Sequence, residues 1–177
     1  MPGKSYIYNL EGDINETDET IDGKHFFRKI KPYKYEGDDE VKITKLIDKN
    51  RDNIYQYKNI VEFYKIDSNY IDMELLNTNY ELSKDIIEKM CQVKTCLQSI
   101  GIFYIDWKPD NIGIASNGEP KLYDFDCSGI YKGDKWLIEP GGYLGSYAYK
   151  KFSYLKDPKK IDDACFDSYL AELIVKT

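Results

Sequence analysis

An α+β fold is predicted by three features of the sequence. Strand-like runs separated by polar turns crowd the first 76 residues, a sustained helical period begins only at Ser83, and a second helical stretch closes the chain. The 177 residues, 42% apolar and 15% aromatic against 32% charged, suffice for one core and fit neither a disordered tail nor a coiled coil.

The first strand-like run is Tyr6-Ile7-Tyr8, followed by an acidic stretch from Glu11 to Asp22. Asp22-Gly23 ahead of His25 to Lys31 is a hairpin signal between strand-like runs. From Asp38 to Leu46, Val41, Ile43, Leu46 and Ile47 recur at roughly helical steps behind an acidic first turn, which suits the positive end of a helix. Ile60 to Ile66 and Tyr70 to Leu76 read as two further strands around Asp67-Ser68-Asn69. The first half is therefore expected to be an antiparallel sheet carrying one helix.

Behind Ser83, which can cap a first turn, Ile86, Met90, Val93, Leu97 and Ile100 recur at three- and four-residue steps until Gly101 supplies a stop. Ile112 to Ala115 and Lys121 to Phe125 flank the hairpin turn Ser116-Asn117-Gly118-Glu119. From Cys127 to about Lys150 the sequence is Gly-rich and irregular. A last helix is predicted from Asp162 to Val175, with Phe166, Tyr169, Leu170 and Leu173 on one face.

A net charge of −6 argues against broad attachment to nucleic acid or anionic lipid, although a local basic patch is compatible with it. No apolar run approaches the ~20 residues that span a bilayer, and the start lacks the apolar segment of a secretory signal, so a cytoplasmic protein is expected. The four cysteines have no metal-ligand spacing, and His25 is the single histidine. Reduced packing thiols are expected, Cys127 among them, and Trp107 and Phe125 read as packing residues too.

The stretch richest in chemistry runs from Tyr104 to Asn111 and continues at Tyr123-Asp124-Phe125-Asp126. A tight hairpin between them brings Asp106, Lys108, Asn111 and Asp124 to one rim. Such a set suits phosphoryl transfer. Asp106 would orient a hydroxyl and accept its proton, Lys108 would offset charge on the migrating group, and Asn111 and Asp124 would hold Mg²⁺ through hard oxygen ligands.

Asp106-Trp107-Lys108-Pro109-Asp110-Asn111 with Asp124-Phe125 resembles the catalytic loop and metal motif of the protein kinase superfamily. The resemblance covers most of the chain and implies a two-lobed fold, with residues 1–76 as N-lobe, a hinge at 73–77 and 77–177 as a truncated, mainly helical C-lobe. It implies ATP and Mg²⁺ as cofactors. Lys29 resembles the lysine that holds the α/β-phosphates, chosen over Lys31 because it keeps the preceding apolar pair in register. Glu40 resembles its helix partner, with Glu36 the competitor. Met73 resembles the gatekeeper, and the backbone at Glu74 and Leu76 would bond adenine. Gly145-Ser146 resembles the end of the activation segment, and Asp162 to Leu173 the helix that anchors the catalytic loop.

Several positions depart from the pattern. Leu10-Glu11-Gly12-Asp13-Ile14-Asn15 keeps one glycine of a three-glycine phosphate loop, Phe27 stands in place of a small residue over adenine, and Asp126 replaces the glycine of the metal motif. Tyr104 and Ile105 replace the His-Arg pair, so no switch by activation-segment phosphorylation is expected. The family's last helices are missing, and Ala148-Tyr149-Lys150 stands where it has the Glu that pairs with them. The resemblance thus implies a miniature kinase of viral type, acting on a protein Ser/Thr hydroxyl inside the host cell, with Lys108 as the Ser/Thr-type feature. Two alternatives accompany it: a pseudokinase that binds a regulatory protein partner, and a small-molecule kinase of the aminoglycoside or choline type, which often carries an acid where Asp126 stands.

Overall fold

The computed structural model describes residues 3–9, 11–31, 39–54, 56–141 and 147–175. Ser5–Tyr8 (β1) and Ile14–Thr17 (β2) pair antiparallel across a turn built on Asn9. The Asn9 side-chain oxygen accepts from the amides of Glu11 (3.0 Å) and Asp13 (2.9 Å), and Gly12 takes φ +86°. Asp22 and Gly23 adopt φ of 49° and 76°, as an Asp-Gly turn requires, but they close only an isolated Ile21–Lys24 bridge. The chain then passes to the other side of β1, and Phe26–Ile30 (β3) pairs with β1 in parallel, Tyr8 opposite Lys29. The expected all-antiparallel sheet is therefore mixed. Buried Ser5 fixes this crossing, because its hydroxyl donates to the Glu19 carbonyl and accepts from the Phe26 amide.

Asp39–Lys49 (α1) buries Glu40, Val41, Ile43, Thr44 and Ile47. Phe63–Ile66 (β4) and Tyr70–Glu74 (β5) complete a five-stranded sheet in the order β2-β1-β3-β5-β4, with Phe27 opposite Met73. Lys84–Ser99 (α2) comes next in the chain, and its first turn is capped by the Ser83 hydroxyl, which accepts from the Ile86 amide. Met90, Val93 and Leu97 on α2 are wholly buried. At about 1.5–3 kcal/mol per buried side chain, against ~1 kcal/mol for a cap, packing rather than capping holds this helix.

Beyond α2 lie Ile102–Phe103 (β6), Ile112–Ile114 (β7) and Pro120–Leu122 (β8), the last two as a hairpin whose Gly118 takes φ +85°. The segment expected to be irregular contains an antiparallel hairpin, Gly129–Lys132 (β9) and Lys135–Ile138 (β10), in a three-stranded sheet with β6. It then forms Tyr147–Phe152 (α3). The closing helix starts earlier than predicted, at Pro158–Phe166 (α4), because Asp157 caps it and Pro158 occupies the first turn. It widens into a π-turn at Asp167–Ala171 before Glu172–Val175 (α5). The wider turn rotates the last helical residues about the axis, so Phe166 and Leu170 are buried whereas Leu173 is 45% exposed.

The fold is thus α+β, and one apolar cluster runs through both halves. A chain of aromatic contacts threads it. Phe63 on β4 meets Phe125 (ring centroids 6.2 Å), Phe125 meets Tyr104 (5.3 Å), Tyr104 meets Trp107 (4.6 Å), and Trp107 meets Phe166 on α4 (5.1 Å). Trp107 and Phe125 are packing residues, as expected. Among the described residues no helix is long and apolar enough to cross a membrane.

Candidate active site

The Asp106 loop is held in an uncommon conformation by a buried acid. Ile105, a β-branched residue, sits at φ +70°, which costs about 1–3 kcal/mol unless its surroundings enforce it. Asp162 on α4 enforces it: one carboxylate oxygen accepts from the Ile105 amide (3.0 Å) and the Trp107 indole N–H (2.7 Å), and the other from Gln98 (2.9 Å). Burial pushes the Asp162 carboxyl up, and these donors pull against that. The expected anchoring of the loop by the Asp162 helix is present at this contact.

Asp106 is approached from two sides. The Asn111 amide nitrogen donates to its carbonyl and to its carboxylate (2.9 Å each), and the Lys108 ammonium lies 3.5 Å away. Asn111 is itself buried and its carbonyl accepts from the Tyr123 amide. Asp106, Lys108 and Asn111 therefore form one group, with Lys108 the more exposed.

A second group forms around Lys29. Its ammonium lies 2.9 Å from Glu40, 2.8 Å from Asp124 and 3.7 Å from Asp126. Lys31 lies 3.6 Å from the same Glu40, so both lysines serve one buried carboxylate and Lys29 alone also reaches Asp124. Glu40 is 2% exposed, not the solvated helix-start acid its position alone suggests. Its competitor Glu36 lies outside the described residues, as do Leu10, Asp38 and Gly145-Ser146. Burial opposes the charge on Lys29, but Glu40, Asp124 and Asp126 raise its pKa well above the ordinary lysine value. Asp124, at φ +63°, is penalised by burial yet held below the usual carboxylate range by Lys29 and Asp126. Burial pushes Asp126 up to about 6; Lys29 opposes the rise, and Asp124 and Glu40 add to it.

Carboxylate oxygens of Glu40, Asp124 and Asp126 lie within 4.8 Å of one another, and so do ligand atoms of Asp106, Asp126 and Cys127. Asp126 belongs to both sets. The hard oxygens fit Mg²⁺, while the Cys127 thiol, whose pKa burial raises, does not. From the sequence, Asp126 stands out as a departure from the glycine of the motif it resembles, and its place two residues beyond Asp124 was the available signal. All four cysteines are free, and Cys91 is exposed rather than packed.

The nucleotide-side candidates lie along β5 and the segment after it. Met73 is buried. The Glu74 amide donates to the Glu62 carbonyl (3.0 Å), and the Glu74 side chain accepts from the Glu62 amide (2.8 Å) and pairs with Lys121 (2.5 Å). Leu76 packs directly over Gly113, where an added Cβ would stand 2.5 Å from that of Leu76. On the other side of Asp106 lies a cavity of about 290 Å³ walled by Trp107, Lys108, Cys127, Tyr147, Ala148 and Tyr169. Sequence reasoning missed this wall, because Tyr147 and Tyr169 lie far from the motif along the chain. In comparisons with known proteins, the chain matches no family model and no curated sequence.

Proposed function

We propose that the protein transfers the γ-phosphoryl group of ATP to a Ser/Thr hydroxyl of a protein, as a two-lobed kinase. The observation that carries this reading is the Lys29 ammonium held between Glu40 and Asp124, partners 11 and 95 residues away in sequence. The sheet with α1 would form the N-lobe, residues 73–77 the hinge and 77–177 the C-lobe. Met73, Glu74 and Leu76 would border adenine, and Lys29, steadied by Glu40, would hold the α/β-phosphates.

In this reading Asp106 orients the acceptor hydroxyl, whose oxygen bonds to the γ-phosphorus as the bond to the leaving ADP oxygen breaks. The hydroxyl proton passes to Asp106. Lys108 offsets the charge on the migrating group, and Asn111 keeps the Asp106 carboxylate turned to the rim. Asp124 and Asn111, with Asp126 beside them, would hold Mg²⁺, which neutralises phosphate charge.

Thermal shift with ATP, with and without Mg²⁺, and then phosphate-transfer assays test the proposal. Asp106→Asn is expected to lower transfer by about 10²–10⁴-fold while keeping nucleotide binding. Asp124→Asn is expected to abolish the Mg²⁺-dependent part of the shift. Transfer that survives both changes overturns the assignment. A pseudokinase is favoured by the turn at Asn9, whose side chain already occupies the Glu11 and Asp13 amides that would otherwise face phosphate. Binding of a protein partner without transfer decides for it. Asp126 favours the small-molecule alternative, which transfer to a free aminoglycoside or choline would support.

A further inference from the structure

Residues 147–160 hold five lysines and a single acid on a chain whose net charge is −6. That acid, Asp157, is spent as the cap of α4, accepting from the Lys159 and Lys160 amides. Lys159 pairs with Asp163, but Lys150, Lys151, Lys156 and Lys160 form no ion pair among the described residues, and Lys150, Lys156 and Lys160 are exposed. Tyr147 (75% exposed) and Tyr154 (72%) stand among them.

This rim is continuous with the cavity beside Asp106. Tyr147 and Ala148, on the first turn of α3, line the cavity, and Lys151 lies one turn beyond Tyr147. The Lys151 ammonium lies 5.5 Å from the ring centre of Tyr169, another wall of the cavity. The Tyr169 hydroxyl is buried and has no hydrogen-bond partner among the described residues.

We propose that this face docks an acidic protein segment: Asp and Glu side chains of the segment meet the lysine rim of α3 and α4, and its hydroxyl residue enters the cavity beside Asp106. The proposal rests on the phosphoryl-transfer reading and names the acceptor class for it. Charge complementarity selects the occupant, since unpaired lysines raise encounter rates and affinity for acidic partners and reject basic ones. A short acidic segment fits better than a nucleic acid. A long polyanion would leave this rim and meet the exposed Glu11, Asp13, Glu16, Asp18, Glu19 and Asp22 elsewhere on the molecule, and inside the cavity it would meet the Asp106 carboxylate.

The test is fluorescence anisotropy on the full chain without nucleotide, using synthetic serine peptides flanked by Asp/Glu or by Lys, and a single-stranded oligonucleotide. The acidic peptide is expected to bind preferentially, and more weakly in high salt, where screening shortens below the ~8 Å of physiological buffer. Lys150→Glu/Lys160→Glu should weaken it about tenfold, with melting temperature and MgATP shift unchanged. Equal binding of acidic and basic peptides, insensitivity to the charge reversals, or tighter binding of the oligonucleotide through the same lysines overturns the proposal. Acidic-peptide binding without phosphate transfer would sustain the docking surface and refute the catalytic reading alone.

Discussion

At the scale of single residues, fully buried Asp162 and partly exposed Asp126 are two acids with opposite consequences. Asp162 accepts three N–H donors, two of them from the Ile105–Trp107 segment, so Asp162→Ala strands buried donors at about 1–3 kcal/mol each. We expect Asp162→Ala to lose about 3–5 kcal/mol in urea denaturation and Asp162→Asn clearly less, since the amide keeps one acceptor. Asp126 lies beside Asp124 and Glu40 with Lys29 3.7 Å away, and its carboxyl is raised from 3.8 to about 6. Between those values the unfolded chain has released a proton that the folded form keeps, so stability falls as pH rises through this window. Its side chain is 41% exposed, and solvent screening reduces the effect to about 1 kcal/mol. Asp126→Asn should therefore raise the melting temperature of the metal-free protein at neutral pH and leave it nearly unchanged near pH 4. A variant less stable than wild type at neutral pH would contradict this. Asp106, Asn111 and Asp124 were legible as candidates from their spacing around one hairpin, and Lys29 and Glu40 only through the resemblance to the kinase pattern. The part of Asp126 was not, because it depends on which carboxylates the fold crowds around one ammonium.

At the scale of elements, the 76–77 segment meets the β7–β8 hairpin in a close approach. The Asn77 and Ile114 backbones exchange two hydrogen bonds of 2.8 Å, and a Cβ on Gly113 would meet the Leu76 Cβ, an atom no rotamer change can move. Gly113→Ala must therefore push these segments apart, at about 1–3 kcal/mol. Gly118→Ala has open space around it and bears only the strain of φ +85°, about 1 kcal/mol. Melting temperatures should fall further for Gly113→Ala, and nucleotide affinity should fall with it, because Leu76 borders the proposed adenine site. The reverse order of stabilities would mean that Leu76 is free to yield. Helix α2 was legible because its period persists over four turns. The β9–β10 hairpin was not: each strand has four residues, and outward Lys132, Lys135 and Leu137 blur the alternation. The π-turn after α4 gave no sequence signal, since Asp167–Ala171 holds no glycine or proline to mark it.

At the scale of the whole molecule, the question is whether the two halves are mechanically separate. Composition implies one core, while the resemblance implies two lobes. The apolar cluster joins both descriptions, because it extends from Ile43 and Ile47 under the five-stranded sheet to Leu97, Ile161 and Leu170. Phe125 is its junction, touching Phe63 on the sheet side and Tyr104 on the other. Shared burial of this kind makes each half's stability depend on the other, so denaturation should be a single cooperative transition. Trp107 and Trp136 both lie in the second half, whereas far-ultraviolet circular dichroism reads the secondary structure of both. The two signals should trace one urea curve. Phe125→Ala should shift them together by about 3–5 kcal/mol, because its cavity opens where the halves meet. Two separated transitions in the wild-type protein would instead mean that the sheet with α1 unfolds as a unit of its own. The aromatic chain would then be a contact between independent bodies rather than the spine of one.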